Sequence, residues 1–159
     1  MYTSYRQQYV FGRNPFTLSG LDTATPAVSY LGAEDGGKSS AAGCTPIDLK
    51  ADDQMFALKA RLDVKVLEAL AGSGAVANVT IYTCGDSTST PNTPDTAHAK
   101  ALLSFSIGTA DAIEASTIPY MEITMPSNCK RYVYAGIVLA DKTKAFTAGK
   151  VLIHFNPNI

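Results

Sequence analysis

Charged side chains are scarce in this sequence. Asp, Glu, Lys and Arg make up 17% of its 159 residues, against about 25% in an average soluble protein. That shortage excludes a coiled coil or long solvent-washed helices. A basic excess is missing too, since 13 Lys+Arg stand against 14 Asp+Glu for a net charge of −1. Nothing is left over to neutralise a nucleic-acid backbone or an anionic membrane surface. No run approaches the roughly 18 apolar residues of a membrane span. The N-terminal MYTSYRQQYVFGRNPF is aromatic and polar, without the apolar stretch of a secretory signal. The expectation is a soluble chain made in the cytoplasm.

Cysteine is sparse and unpaired in spacing. Cys44, Cys84 and Cys129 are an odd number with no CxxC, which argues against a disulfide framework and a paired-ligand zinc site. Thiols of a protein made in a reducing compartment are expected. Histidine is limited to His98 and His154, and neither is spaced to serve a nucleophile. The four glutamates, Glu34, Glu68, Glu114 and Glu122, make no HxH-like ligand pattern with them. Asp48, Asp52 and Asp53 lack the alternating acidic spacing of a calcium loop. No enzyme, catalytic residue, cofactor or metal is expected.

What fills the sequence instead is Thr, Ser, Asn, Gly and Pro around a 46% hydrophobic content, the composition of strands joined by turns. Alternation is clearest from Phe56 to Val66, where Lys59, Arg61, Asp63 and Lys65 interleave with Leu58, Ala60, Leu62 and Val64. Period two fits; a helical wheel scatters these positions. After the turn signal Gly72-Ser73-Gly74, a second alternation (Ala75, Ala77, Val79, Ile81) suggests a hairpin with the first. Further strands are expected at Leu103–Ile107, Met121–Met125, Tyr132–Ala140 and Val151–Phe155, with a weaker one at 27–31. Tyr132–Ala140, almost continuously apolar, reads as a strand covered on both faces. Helical turns fit only Asp48–Met55 and Leu67–Ala71. Residues 85–96, GDSTSTPNTPDT, have nothing to bury and must form a solvent-facing loop. The sum is an all-β domain of about eight strands, a sandwich or barrel, over residues 21–159.

Residues 1–20 differ in kind. Tyr2, Tyr5, Tyr9, Phe11 and Phe16 lie there with Arg6 and Arg13 among them, and strand alternation is absent. An N-terminal arm of this type is either interface material or a flap that closes an open end of the sandwich. Tyr132 and Tyr134 share one strand face, as core, subunit interface or sugar platform. Gly32–Ser39 (GAEDGGKS) matches the phosphate-binding GxxxxGK[ST], with Ile137–Asp141 as a matching acid-ended strand. Such a loop works by opening a helix, yet Gly43 and Pro46 follow at once, and Glu34 and Asp35 bring negative charge into the cradle. A nucleotide-binding reading is therefore disfavoured.

Ile118-Pro119-Tyr120, Lys130-Arg131-Tyr132-Val133-Tyr134 and Phe146-Thr147-Ala148-Gly149-Lys150-Val151, in that order and setting, carry a resemblance. Over about residues 100–156, with a looser match at 55–66, the chain resembles the jelly-roll cement (decoration) proteins of tailed-bacteriophage capsids, of the Bordetella-phage type. The resemblance implies a jelly-roll-like antiparallel sandwich and a structural role. The protein would form a homodimer or homotrimer on the outer capsid surface of the virion and clamp neighbouring subunits of the major capsid protein. It implies no catalysis and no cofactor. On this reading the capsid or oligomer interface draws on Tyr2, Tyr5, Arg6, Tyr9, Phe11, Arg13, Phe16, Tyr132 and Tyr134. A virion-surface carbohydrate-binding module on the same fold is the alternative.

Overall fold

Alternation of apolar and polar side chains shapes the long strands, and the computed structural model shows where each one pairs. It describes residues 9–21, 23, 27–49, 60–111, 113–116 and 118–157. Among these, the strands are β1 (Val10–Thr17), β2 (Ser29–Leu31), β3 (Ile47–Asp48), β4 (Ala60–Ala71), β5 (Val76–Cys84), β6 (Lys100–Gly108), β7 (Met121–Thr124), β8 (Tyr132–Leu139) and β9 (Ala148–Pro157). Helix among the described residues is confined to short 3-10 turns, none long and apolar enough to cross a membrane.

The strands form two antiparallel sheets. Sheet I has the order β1-β9-β4-β7 and sheet II the order β2-β8-β5-β6, with β3 also on β8. β2 pairs with Ala135–Ile137 and β3 with Tyr132–Val133, so both occupy the side of β8 that β5 leaves open. With these two sharing one position, the chain is an eight-position sandwich in which β1→β2, β4→β5, β6→β7 and β8→β9 each cross between sheets. That is the jelly-roll order of two nested Greek keys.

One core joins the inner faces. Leu62, Val64 and Val66 of β4 and Val151 and Ile153 of β9 meet Ala77, Val79 and Ile81 of β5 and Ala135 and Ile137 of β8, all exposed by 1% or less. The strands expected at Leu103–Ile107, Met121–Met125, Tyr132–Ala140 and Val151–Phe155 are present as β6, β7, β8 and β9, with somewhat different ends.

Three expectations change. The alternating runs around Gly72-Ser73-Gly74 do not form a hairpin: β4 and β5 lie in different sheets. The turn carries Gly72 at φ 137° and Gly74 at φ 64°, and it lifts the chain from one layer to the other instead of folding it back alongside itself. Leu67–Ala71 continue β4 rather than forming a helical turn. The arm boundary also moves. Residues 10–17 are a sheet strand paired to β9, with an irregularity between Phe11 and Phe16. Gly12 (φ 81°) and Arg13 (φ 63°) sit in that break, which is why no alternation marks the strand in the sequence. Residues 9–20 thus belong to the sandwich. Residues 1–8, and the Phe56–Lys59 part of the first alternation, lie outside the described residues.

Candidate functional site: the outer faces of the sheets

The two outer faces differ in chemistry. Sheet I carries charge: Arg61 forms a bidentate pair with the buried Asp63 at 2.7 and 3.1 Å. Glu122 and His154 stand opposite Asp63 on the neighbouring strands, and Lys150 approaches Glu68 at 3.5 Å.

Sheet II carries aromatic rings and uncharged polar groups. Tyr82 and Tyr134 are register partners, and their rings stack at 5.1 Å with an 18° interplanar angle. Tyr30, brought in by β2, completes the group at 6.5 Å from Tyr82 and 6.1 Å from Tyr134. Gly136 lies beneath them, and a Cβ there would stand 3.1 Å from the Tyr82 ring and 3.0 Å from Val28. Next to the rings runs a row of short polar side chains. Thr80 and Ser104 share a hydrogen bond of 3.0 Å, and the Ser106 hydroxyl donates to Asn78 Oδ1 at 2.8 Å. Tyr30 and Tyr82 are half-buried, so part of each ring is presented outward.

One end of this face is locked by Arg131. Its guanidinium donates to both carboxylate oxygens of Asp48 at 2.9 Å, to Asn92 at 2.8 Å and to Asp86 at 3.3 Å, and it lies 5.0 Å above the Tyr132 ring. The hydrogen bonds to Asp48 above all hold it charged. The Tyr132 hydroxyl also donates to Asp86 at 3.0 Å. The polar loop expected at 85–96 is thus present and mostly exposed, but it is tied to β8 through Asp86 and Asn92.

The predicted interface residues fall in different places. Tyr9 and Phe11 are buried in the chain's own core, Phe11 to 1% exposure. Both sit in the sandwich itself, because β1 pairs with β9 as a strand of sheet I and turns them inward. They are not available to a partner of the folded chain. Arg13 is exposed and Phe16 half-buried. Phe16 lines a shallow hollow of about 250 Å³ together with Asn14 and Asp35, the last two joined at 2.7 Å. Tyr132 and Tyr134 are 3% and 2% exposed, covered by Tyr30, Tyr82, Ala41 and Ala99. They support the outer face from below; Tyr30 and Tyr82 present it. Tyr2, Tyr5 and Arg6 lie outside the described residues. Tyr82 was legible as an outward position of its alternating run, but its ring partners Tyr30 and Tyr134 each lie about a third of the chain away in sequence.

The phosphate-loop match folds as a turn. Lys38 N–H donates to the Tyr30 carbonyl and Tyr30 N–H to the Lys38 carbonyl, each at 2.8 Å. The chain then passes through turns into β3 without opening a helix. Glu34 accepts the Thr45 N–H at 2.9 Å. Asp141, the acid of the second half-motif, is held by the Thr143 N–H and hydroxyl at 2.9 and 2.7 Å. Two of the motif's amides, those of Ala33 and Lys38, are engaged in backbone hydrogen bonds to Thr45 and Tyr30.

Burial also sets the acid–base behaviour of this region. Cys44, Cys84 and Cys129 are buried thiols. Burial foremost, then the nearby charge of Glu34, pushes Cys44 up to about 12 from an ordinary 9.0. Burial and then the charge of Asp95 push Cys84 up to about 11. Burial and the hydrogen bond to Asp86 push Tyr132 up to about 12, and burial holds Tyr134 well above the usual phenol range. Below about pH 9 the folded and unfolded chains both keep the thiol protons. As pH rises from about 9 toward 12, the unfolded chain releases protons that the folded chain retains, so stability falls. Urea midpoints measured at pH 8, 10 and 11 should decrease in that order, and Cys44→Ala should flatten the decline. Equal midpoints at pH 8 and 11 would show that these groups are not buried in solution.

Among the described residues, no cluster of three or more His, Cys, Asp or Glu side chains is placed to hold a metal ion. No protein-family profile matches this chain, and no curated protein matches it.

Proposed function

We propose that this chain is a structural virion protein, a capsid cement protein that docks onto neighbouring major capsid subunits through the outer face of sheet II. The observation that carries the reading is the chemistry of that face: Tyr30 and Tyr82 beside Asn78, Thr80, Ser104 and Ser106, with no charge among them. Docking such a surface strips water from rings, hydroxyls and an amide. It avoids the larger desolvation penalty that charged groups carry. The rings are held by stacking on strands, so little rotamer freedom is lost on contact. Sheet I, with its Arg61, Asp63, Glu122, Lys150 and Glu68, suits solvent. The sequence resemblance and the jelly-roll strand order support the same reading. Copies made in the host cytoplasm would assemble on the outer capsid surface, and several faces per oligomer would turn weak single contacts into avidity. Tyr2, Tyr5 and Arg6, on residues 1–8, are the remaining arm candidates.

Thr80→Glu places a charge in the middle of this face on a half-buried position. It should leave a folded protein whose affinity for shells of the cognate major capsid protein falls about tenfold or more, since burying an unpaired charge costs over 1.4 kcal/mol. Co-sedimentation measures it. A Thr80→Glu protein that binds shells as well as the parent refutes docking through sheet II.

The carbohydrate reading draws on the same residues, because a ring beside amide and hydroxyl groups is also a sugar-recognition set. Glycan-array binding that Tyr82→Ala abolishes would favour it.

A further inference from the structure

The two ends of the sandwich are not closed equally. At the β1/β2 end the inward residues Phe11 and Leu31 are exposed by 1% and 0%. β6 and β7 terminate the two strand orders at the other end, joined directly by residues 109–120. Here Leu103 and Phe105 of β6 and Met121 and Ile123 of β7 pack against the core but are only half-buried. All four face inward, because they pair with Ile81, Val79, Val64 and Leu62. Ile118, just before β7, is 73% exposed. The core therefore reaches the surface along a seam at this end.

β6 borders that seam. It pairs with β5 on one side, and among the described residues nothing pairs with its other side. Sheet edges are normally protected by charge, proline or shortness. β6 runs nine residues as KALLSFSIG, with no proline and its single charge, Lys100, at the first position.

We propose that this end is where two copies of the chain meet, β6 pairing antiparallel with β6 of a second copy about a two-fold axis. The inference rests on the oligomeric reading above and gives it a location. A second copy fits better than an unrelated strand because the edge is self-complementary. In a register centred on Ser104, Lys100 of one copy faces Gly108 of the other, so no like charges oppose each other. Ser104 and Ser106, both exposed on the outer side, leave room for close approach. The half-buried Leu103 and Phe105 of the two copies lie on the inner side, where they extend one another's core. Such an isologous contact closes at two subunits.

Sedimentation equilibrium of the full chain tests this without any shell. The parent should have twice the chain mass of 16.8 kDa. Ser104→Glu/Ser106→Glu and Ser104→Lys/Ser106→Lys alter exposed positions and should fold. Each should raise the dimer dissociation constant by about tenfold or more, since the two residues 104 stand directly opposite each other in this register, with residue 106 of each copy on the diagonal from residue 104 of the other, and like charges there repel. Mixing the two variants should restore a dimer. Hydrogen exchange of the parent gives a second measure, with amides of residues 101–107 more protected at dimer-forming than at dilute concentration. A monomeric or trimeric parent, a dimer indifferent to these charges, or β6 amides unprotected in a dimer would overturn the proposal. A monomeric parent that still sediments with shells would remove this interface while leaving docking through sheet II intact.

Discussion

Gly32→Ala is expected to yield little or no folded protein, a loss of more than about 4 kcal/mol. A methyl at this position would stand 2.0 Å from the Thr45 carbonyl oxygen, 2.7 Å from its carbon and 2.8 Å from Cys44 Sγ. Two of those atoms are backbone and cannot swing aside. Moving them breaks the contacts that bring the segment close: Ala33 N–H donates to the Thr45 carbonyl at 2.7 Å, and Gly12 N–H donates to the Gly32 carbonyl at 2.8 Å. Gly32 thus stitches β1, β2 and the 44–45 segment together. Gly20→Ala is the control, since nothing lies within 4 Å of the added methyl. It should change stability by less than about 1 kcal/mol. Urea unfolding of both proteins decides the matter. A Gly32→Ala protein as stable as Gly20→Ala would show that the segments are not so closely packed.

Phe155→Ala should cost about 3–5 kcal/mol and lower Tm by about 10 °C or more. Phe155 is 0% exposed on β9, a strand with neighbours on both sides. It pairs with Leu62 of β4, and its N–H donates to the Tyr9 carbonyl at 2.8 Å. Truncation leaves a void lined by strands fixed in two hydrogen-bond ladders, so the walls cannot relax far. Against a total stability of about 5–15 kcal/mol for a typical domain, that is a large fraction. Calorimetry would measure it, and a shift of only 1–2 °C would mean that the core is far looser than the structure shows.

Much of the architecture can be read from single residues. Lys65 and Asp63 between Leu62, Val64 and Val66 announce a strand with one wet face, and Gly-Ser-Gly announces the turn after it. The run YVYAGIVL announces a strand covered on both sides, as β8 is. Less legible is β1, whose alternation is broken where Gly12 and Arg13 take positive φ. The candidate site was harder still. Tyr132 and Tyr134 share a face, as their spacing indicates, but Tyr30 and Tyr82 cover them and provide the outward surface.

Local chemistry therefore determined which stretches are extended, which side of each is greasy, and where the chain must turn, because a pleated strand exposes alternate side chains with a period that no partner can alter. Pairing was decided only by the tertiary structure. Whether two neighbouring runs lie side by side or in opposite layers depends on which arrangement buries both inner faces. That choice separated β4 from β5, drew Tyr9 and Phe11 inward, gathered three distant tyrosines on one face, and left core residues half-buried at the β6/β7 end.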